Sequence, residues 1–166
     1  PWLFITLIGE FIAVNVGNHF DHTLQALPII AIFMPLLAGL GGNIGTQSIT
    51  LMVRGLSTGQ ITVSSAVHHI LREACIGLFI GTIFGVLVTL VCWGWQHSKA
   101  LGAVVGLAMA INMTIATIIG TFTPFALKAM KVDPAVASGP VIATTIDVLG
   151  LAIYFTLVST FLIKVI

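Results

Sequence analysis

Long apolar stretches separated by short polar connections dominate the pattern of this chain. Each stretch is long enough to cross a hydrocarbon core of about 30 Å as a helix. The pattern therefore predicts an all-α integral membrane protein with five transmembrane helices per subunit. We assign residues 1–166 to one transmembrane domain, with spans at about 1–17, 27–53, 74–95, 101–128 and 140–163.

The apolar pattern weakens between the second and third spans, over residues 54–73. Apolar positions such as Val63, Val67 and Leu71 are sparse there and are mixed with polar ones. We interpret this segment as a loop followed by a short helix that lies in the membrane interface.

Composition agrees with a location in the lipid bilayer. Hydrophobic residues make up 58% of the chain and charged residues only 7%, whereas a soluble domain carries about 25% charged residues. So few charges could not cover the surface of a soluble domain of this size. The formal net charge of +1 gives no sign of nucleic-acid binding.

The distribution of basic residues predicts the orientation of a multi-pass protein of the cell membrane. Arg54, Arg72, Lys128 and Lys131 would lie on one side, against two lysines on the other. Because basic residues are enriched in cytoplasmic loops, we expect the N-terminus in the cytoplasm and the C-terminus outside.

The second span carries an unusual glycine-rich, polar run over residues 35–55. Pro35 interrupts the predicted helix, and Asn43, Gln47 and Thr50 follow at spacings that place them on one helix face. Broken helices with polar groups are tolerated at membrane depth where they face protein or a wet cavity. Two interpretations stay open and are compatible, namely hydrogen bonds between helices and a pore-lining face.

Two further spans carry stripes of small or hydroxyl side chains. Gly77, Gly81 and Gly85 recur every four residues on the third span, which predicts a smooth face for close packing of another helix. Thr117 and Thr121 on the fourth span would suit a hydrated path if they faced the polar stripe of the second span. Threonines also bond back to their own helix, so this stripe is weak evidence alone.

An acid lies deep in the fifth span. Asp147 follows Pro140 by seven residues, which places it roughly 10 Å along the helix. A charged carboxylate facing lipid there would cost at least about 2.5 kcal/mol, and no span contains a basic residue to pair with it. A bound cation is the natural counter-charge, and a neutral, hydrogen-bonded structural aspartate is the alternative.

Two other acids accompany Asp147. Asp133 lies at the predicted cytoplasmic mouth of the fifth span, where it could bind a cation or cap a helix. Glu10, inside the first span, is a candidate functional acid by its depth alone, and the sequence names no partner for it.

The available ligands are oxygen atoms, which suit hard cations such as Mg²⁺, Ca²⁺ or Mn²⁺. Mg²⁺ tends to keep several of its waters, so one carboxylate per chain could hold it through the hydration shell. A two-fold homodimer with its path on the symmetry axis would double every ligand.

Two long motifs resemble the MgtE family of magnesium transporters: residues 41–61, GGNIGTQSITLMVRGLSTGQI, and residues 133–155, DPAVASGPVIATTIDVLGLAIYF. The resemblance implies a homodimer with five spans per subunit and a path for hydrated Mg²⁺, the transported and bound ion, at the dimer interface. It also implies cytoplasmic regulatory domains in the full-length protein, which this chain does not contain.

The resemblance assigns roles to individual positions. It implies that Asp147 holds hydrated Mg²⁺, that the backbone oxygen of Ala143 contributes, and that Asp133 belongs to a cytoplasmic ion-sensing region. Gly139 stands where family members often have asparagine, which argues against a side-chain ligand at that position. The pore-lining candidates are Asn43, Gln47, Thr50, Thr144, Gly139, Thr117 and Thr121.

Other functions fit the residues less well. A proton-coupled secondary transporter of divalent cations is the main alternative, because a lone membrane acid can carry a proton. An aspartyl protease would need Asp133 and Asp147 side by side, but fourteen helical residues would separate them by roughly 20 Å. We therefore expect no enzyme activity.

Overall fold

The computed structural model describes residues 2–136 and 139–162, and all secondary structure within them is helical. This confirms the predicted all-α class. The α-helices are α1 (Trp2–His19), α2 (Asp21–Ala26), α3 (Met34–Ser57), α4 (Ala66–Gln96), α5 (Lys99–Ala129) and α6 (Gly139–Phe161). Short 3₁₀ helices cover Pro28–Phe33, Val63–Ser65 and Pro134–Val136.

Four helical stretches in the described chain are long and apolar enough to cross a membrane. They are Pro28–Ser57, Val63–Gln96, Lys99–Ala129 and Gly139–Phe161, and they coincide with the second to fifth predicted spans. The helix α1 is apolar but shorter, so the crossing of the first span stays a prediction.

The separate interfacial helix predicted within residues 54–73 is wrong. Residues 54–57 complete α3, and residues 66–73 are the first two turns of α4. In this part of α4, His68 and Arg72 are exposed, whereas Glu73 is buried and its carboxylate accepts a 3.3 Å hydrogen bond from the Ser48 hydroxyl of α3. Exposed polar residues together with this one buried carboxylate account for the weak apolar pattern.

The predicted interruption of the second span at Pro35 is also wrong, because Pro35 does not lie in the interior of a helix. Pro35 lies in the first turn of α3, where a missing backbone N–H removes no hydrogen bond of the helix. The preceding residues, Pro28–Phe33, form the 3₁₀ helix instead. Residues 27–53 therefore contain a change of helix type at their start rather than a break in the middle.

Helix α5 contacts α3, α4 and α6, while α1 packs on α6. The glycine stripe of α4 lies against α5, as its spacing predicted. A Cβ atom at Gly85 would lie 2.5 Å from the carbonyl oxygen of Gly106, and one at Gly81 would lie 2.9 Å from the backbone of Ala110. These two backbones approach so closely because neither glycine carries a side chain.

A buried tyrosine connects α6 to the segment that precedes α3. Tyr154 is fully buried, and its hydroxyl donates a 2.9 Å hydrogen bond to the carbonyl of Ile30 in the first 3₁₀ helix. The neighbouring Phe155 stacks on Phe20 with ring centroids 5.3 Å apart. The connection between α1 and α3 is therefore held against one end of α6.

Candidate functional site

Asp147 lies in the middle of α6, half-buried, and its carboxylate approaches α3 at Gly42. A Cβ atom at Gly42 would lie 3.4 Å from the Oδ1 atom of Asp147. That oxygen is buried and has no hydrogen-bond partner among the described residues. Because buried polar atoms are normally paired, the site has an acceptor left for a cation or an ordered water.

Ala143, one turn before Asp147, packs against the same glycine. Its Cβ atom would lie 3.4 Å from a Cβ atom at Gly42, and the side chain of Ile146 fills the space beside Gly45. The glycine run of α3 therefore lets α6 pack closely against it, with the acid and the backbone of Ala143 at the contact.

The polar stripe of α3 is exposed in the subunit. Asn43, Gln47 and Thr50 all lie on its uncovered face, as their spacing predicted. The side chains of Asn43 and Gln47 make no hydrogen bond to another described residue, so the proposed bonds between helices are not made within this subunit. The stripe is available to water, to an ion or to a second copy of the chain.

A cavity of about 360 Å³ lies between the C-terminal end of α3 and the N-terminal end of α6. It brings together two predicted pore-lining residues, Thr50 and Gly139, and is also lined by Arg54 and Ser57. At the α6 side of this cavity, Gly139 lies close to α3, since a Cβ atom at Gly139 would lie 3.2 Å from the methyl group of Thr46.

Asp133 is exposed beside this cavity. Its Oδ1 atom accepts a 2.9 Å hydrogen bond from the backbone N–H of Ala135, and Ala135 lines the cavity. The capping role considered for this acid is therefore present, and it fixes the carboxylate at the cavity's edge.

The two predicted pore-lining threonines of α5 lie away from this cavity and from Asp147. Thr117 and Thr121 on α5 are 1% and 0% exposed, and Thr117 packs against Gly77 of α4. The hydroxyl of Thr117 donates 2.8 Å to the carbonyl of Thr114 in its own helix. The structure does not bring these hydroxyls to the exposed stripe of α3, so the condition under which they would suit a hydrated path is not met within the subunit.

Thr144 is buried on the side of α6 that faces α1. Its hydroxyl donates 2.9 Å to the carbonyl of Pro140, and its methyl group lies against Gly9. Glu10, the residue after Gly9 on α1, is exposed and makes no hydrogen bond or ion pair with a described residue. Its role as a functional acid stays a prediction.

Asn112 was not predicted as a site residue, although the structure places it behind the site. It is 1% exposed, and its Nδ2 atom donates 2.9 Å to the carbonyl of Leu37. Its side chain lies between Gly41 of α3 and Gly150 of α6. A lone amide in an apolar span was the only sequence signal, and it did not indicate a partner.

Four apolar helices of spanning length, with an acid at a contact between two of them, define a helical membrane protein. The family model MgtE, described as a divalent cation transporter, matches residues 34–157. The chain belongs to the MgtE family, as its two motifs indicated.

Three curated relatives, each named magnesium transporter MgtE, align with nearly the whole chain. The protein of Bacillus subtilis (strain 168) is 38% identical over 98% of this chain, and that of Enterococcus faecalis is 35% identical over 98%. The Thermus thermophilus protein is 33% identical over 93% of this chain. The chain spans about a third of the length of these relatives, at 36%, 36% and 34%.

Proposed function

We propose that this chain forms the membrane path of a magnesium transporter, through which hydrated Mg²⁺ crosses the cell membrane. The observation that carries the proposal is the unpartnered, buried Oδ1 atom of Asp147 beside Gly42. The names of the three curated relatives support Mg²⁺ as the substrate.

The proposed path lies between two copies of the chain related by a two-fold axis, with five spans each. Its walls are the exposed stripe of α3, at Asn43, Gln47 and Thr50, and the adjoining side of α6. This stripe is polar and uncovered, and the side chains of Asn43 and Gln47 make no hydrogen bond to a described residue, as would be expected of a surface facing water or a second copy. Each path would then contain two copies of Asp147, one from each chain.

Asp147 and Asp147 of the partner subunit would hold the cation through its water shell. Mg²⁺ gives up its waters reluctantly, so carboxylates that accept hydrogen bonds from those waters bind it without dehydrating it. The backbone oxygen of Ala143, one turn away, would accept from another water. Weak, water-mediated contacts of this kind also let the ion leave, as conduction requires.

Asp133 and the cavity lined by Thr50 and Gly139 form the cytoplasmic mouth in this proposal. The N-terminus then lies in the cytoplasm and the C-terminus outside, as the basic residues predict. Cytoplasmic regulatory domains are expected in the full-length protein, and this mouth is the end of the path that they could reach.

The test is Mg²⁺ flux into liposomes that contain the chain or its Asp147→Asn variant. Removing the charge from the site should lower flux by about tenfold or more, because two carboxylates provide most of the attraction for the dication. The matched control is Asp21→Asn, which neutralises an exposed acid whose carboxylate accepts from Gln25 in its own helix. Flux that is unchanged in Asp147→Asn would refute the proposal.

A proton-coupled carrier is the second candidate, because an unpartnered membrane acid such as Asp147 could also take up a proton. Collapsing the proton gradient with an ionophore distinguishes the two. A channel-like path keeps conducting Mg²⁺ down its own gradient, whereas a coupled carrier loses uptake.

A further inference from the structure

A second polar cavity, of about 310 Å³, lies between the C-terminal end of α3 and the N-terminal end of α4. The loop that joins the two helices forms part of its wall, because the N–H of Ile61 donates a 3.0 Å hydrogen bond to the carbonyl of Gly55 and folds the loop back on α3. Pockets of about 300–1,000 Å³ are typical of small-ligand sites. The polar residues that line this cavity are Arg54, Gln60, His69, Arg72 and Glu73.

The acid of this cavity is buried and incompletely paired. Glu73 is 8% exposed, and its carboxylate accepts one 3.3 Å hydrogen bond, from the Ser48 hydroxyl. It makes no other hydrogen bond and no ion pair with a described residue. A buried carboxylate is costly unless donors or a positive charge compensate it. Because Glu73 lines the cavity, a ligand there can supply the missing donors.

Two guanidinium groups line the same cavity. Arg54 and Arg72 are exposed, and neither side chain forms a hydrogen bond or ion pair with Glu73 or with another described residue. Guanidinium groups bind phosphate oxygens in a two-pronged geometry. Positive and negative groups therefore share one cavity without pairing with each other, which leaves room for a ligand between them.

The signs of these charges restrict the ligand. A cation alone would lie beside two guanidinium groups, and a ligand with only negative charges would face the buried carboxylate of Glu73. A ligand with a phosphate and an ammonium group gives each of the three side chains a partner of opposite charge. The cavity is therefore matched to a zwitterion.

The position of the cavity indicates where the ligand comes from. It lies where two helices of membrane-spanning length end and begin, at Ser57 and Ala66. Leu51 also lines it and is 56% exposed, so the cavity opens onto apolar surface of the kind that contacts lipid tails. Polar pockets between helices at this level bind lipid headgroups. A phospholipid would place its headgroup in the cavity and its acyl chains along the helices.

We propose that this cavity is a headgroup site for phosphatidylethanolamine, with the phosphate on Arg54 and Arg72 and the ammonium group on Glu73. A primary ammonium group has three N–H donors for the carboxylate, whereas the trimethylated group of phosphatidylcholine has none. Quaternary ammonium groups are recognised by aromatic side chains, and among the described residues no Phe, Tyr or Trp lines this cavity. The site goes beyond the proposed function and does not depend on which ion crosses the membrane.

The first test uses the parent chain alone. Native mass spectrometry in detergent measures the apparent Kd for phosphatidylethanolamine, for its forms with one and two N-methyl groups, for phosphatidylcholine and for phosphatidylglycerol, all with the same acyl chains. We expect phosphatidylethanolamine to bind about tenfold more tightly than phosphatidylcholine, with a stepwise loss as methyl groups replace N–H donors. Equal binding of these two lipids, or tighter binding of phosphatidylglycerol than of phosphatidylethanolamine, would overturn the inference.

Variants then assign the two ends of the headgroup. Glu73→Gln should abolish the preference for phosphatidylethanolamine over phosphatidylcholine. Arg72→Gln should weaken the binding of both lipids severalfold, and it is preferred to a change at Arg54, which also lines the cavity between α3 and α6. Matched controls are Asp21→Asn and Lys128→Gln, which neutralise exposed charges outside the cavity and should keep the parent's values. A preference that persists in Glu73→Gln would refute the assignment of the ammonium group.

A competitor distinguishes a lipid from a soluble ligand of the same chemistry. Glycerophosphoethanolamine carries the whole headgroup without acyl chains. We expect that an equal concentration of it leaves phosphatidylethanolamine bound, because the acyl chains add apolar contacts along the helices. Displacement of the lipid at equal concentration would show a site for soluble zwitterions and overturn the assignment to a phospholipid.

Discussion

The Nδ2 atom of Asn112 on α5 donates a 2.9 Å hydrogen bond to the carbonyl of Leu37 on α3, a residue 75 positions away. The same side chain separates Gly41 of α3 from Gly150 of α6. A single amide therefore spaces the two helices that bear the candidate site, and α5 supports the site from behind.

Asn112→Ala should destabilise the protein by about 1–3 kcal/mol, because it removes a buried hydrogen bond and leaves a cavity between two glycines. The measurement is thermal unfolding in detergent. Asn15→Ala is the control, since Asn15 is exposed and bonds only to Phe11 of its own helix. Equal midpoints for Asn112→Ala and the parent would contradict the structural role of this amide.

The close contact between α4 and α5 makes a second prediction. In Gly85→Ala the new methyl group would meet the backbone of Gly106, which cannot rotate away, so we expect a loss of about 1–3 kcal/mol. Gly94→Ala on the same helix adds a methyl group with nothing within 4 Å, and alanine's helix propensity should make it neutral or stabilising by up to about 1 kcal/mol. If both variants shift the unfolding midpoint alike, the helices do not pack as described.

The cavity between α3 and α6 makes a third prediction, which concerns flux. Thr50→Leu adds bulk to its wall and should reduce Mg²⁺ flux severalfold while leaving thermal stability unchanged, because Thr50 is exposed. Thr50→Val, which keeps the volume, should have the smaller effect. Thr82→Leu is the matched control, an exposed threonine on α4 with the same back-bond to its own helix. Equal flux in Thr50→Leu and Thr82→Leu would exclude this cavity from the path.

The spacing of residues along the sequence predicted those features that depend on a single helix. The four-residue repeat of Gly77, Gly81 and Gly85 indicated a packing face, and the spacing of Asn43 and Gln47 indicated a shared stripe. Both features follow from the helical period, which any apolar span obeys. The position of Asp147 near the middle of α6 was likewise predictable, because residue number measures distance along a helix.

Pairings between helices could not be predicted in this way. The contact of Gly9 with Thr144 depends on how α1 packs along α6, and nothing in either segment alone fixes it. The burial of Glu73 likewise depends on Ser48 from another helix. Without that partner, a charged residue in a mixed segment indicated a surface.

Thr46 and Thr50 both donate their hydroxyl hydrogens to carbonyl oxygens of α3, at 2.8 Å in each case. A hydroxyl whose hydrogen is committed to its own backbone presents only lone pairs to whatever passes. The water shell of a metal cation turns its hydrogens outward and would find acceptors at these two threonines, whereas the shell of chloride points its oxygens outward and would find no donor at either of them. On the proposed path, the sign of the permeating ion would thus be selected partly by the direction of these bonds, without any formal charge.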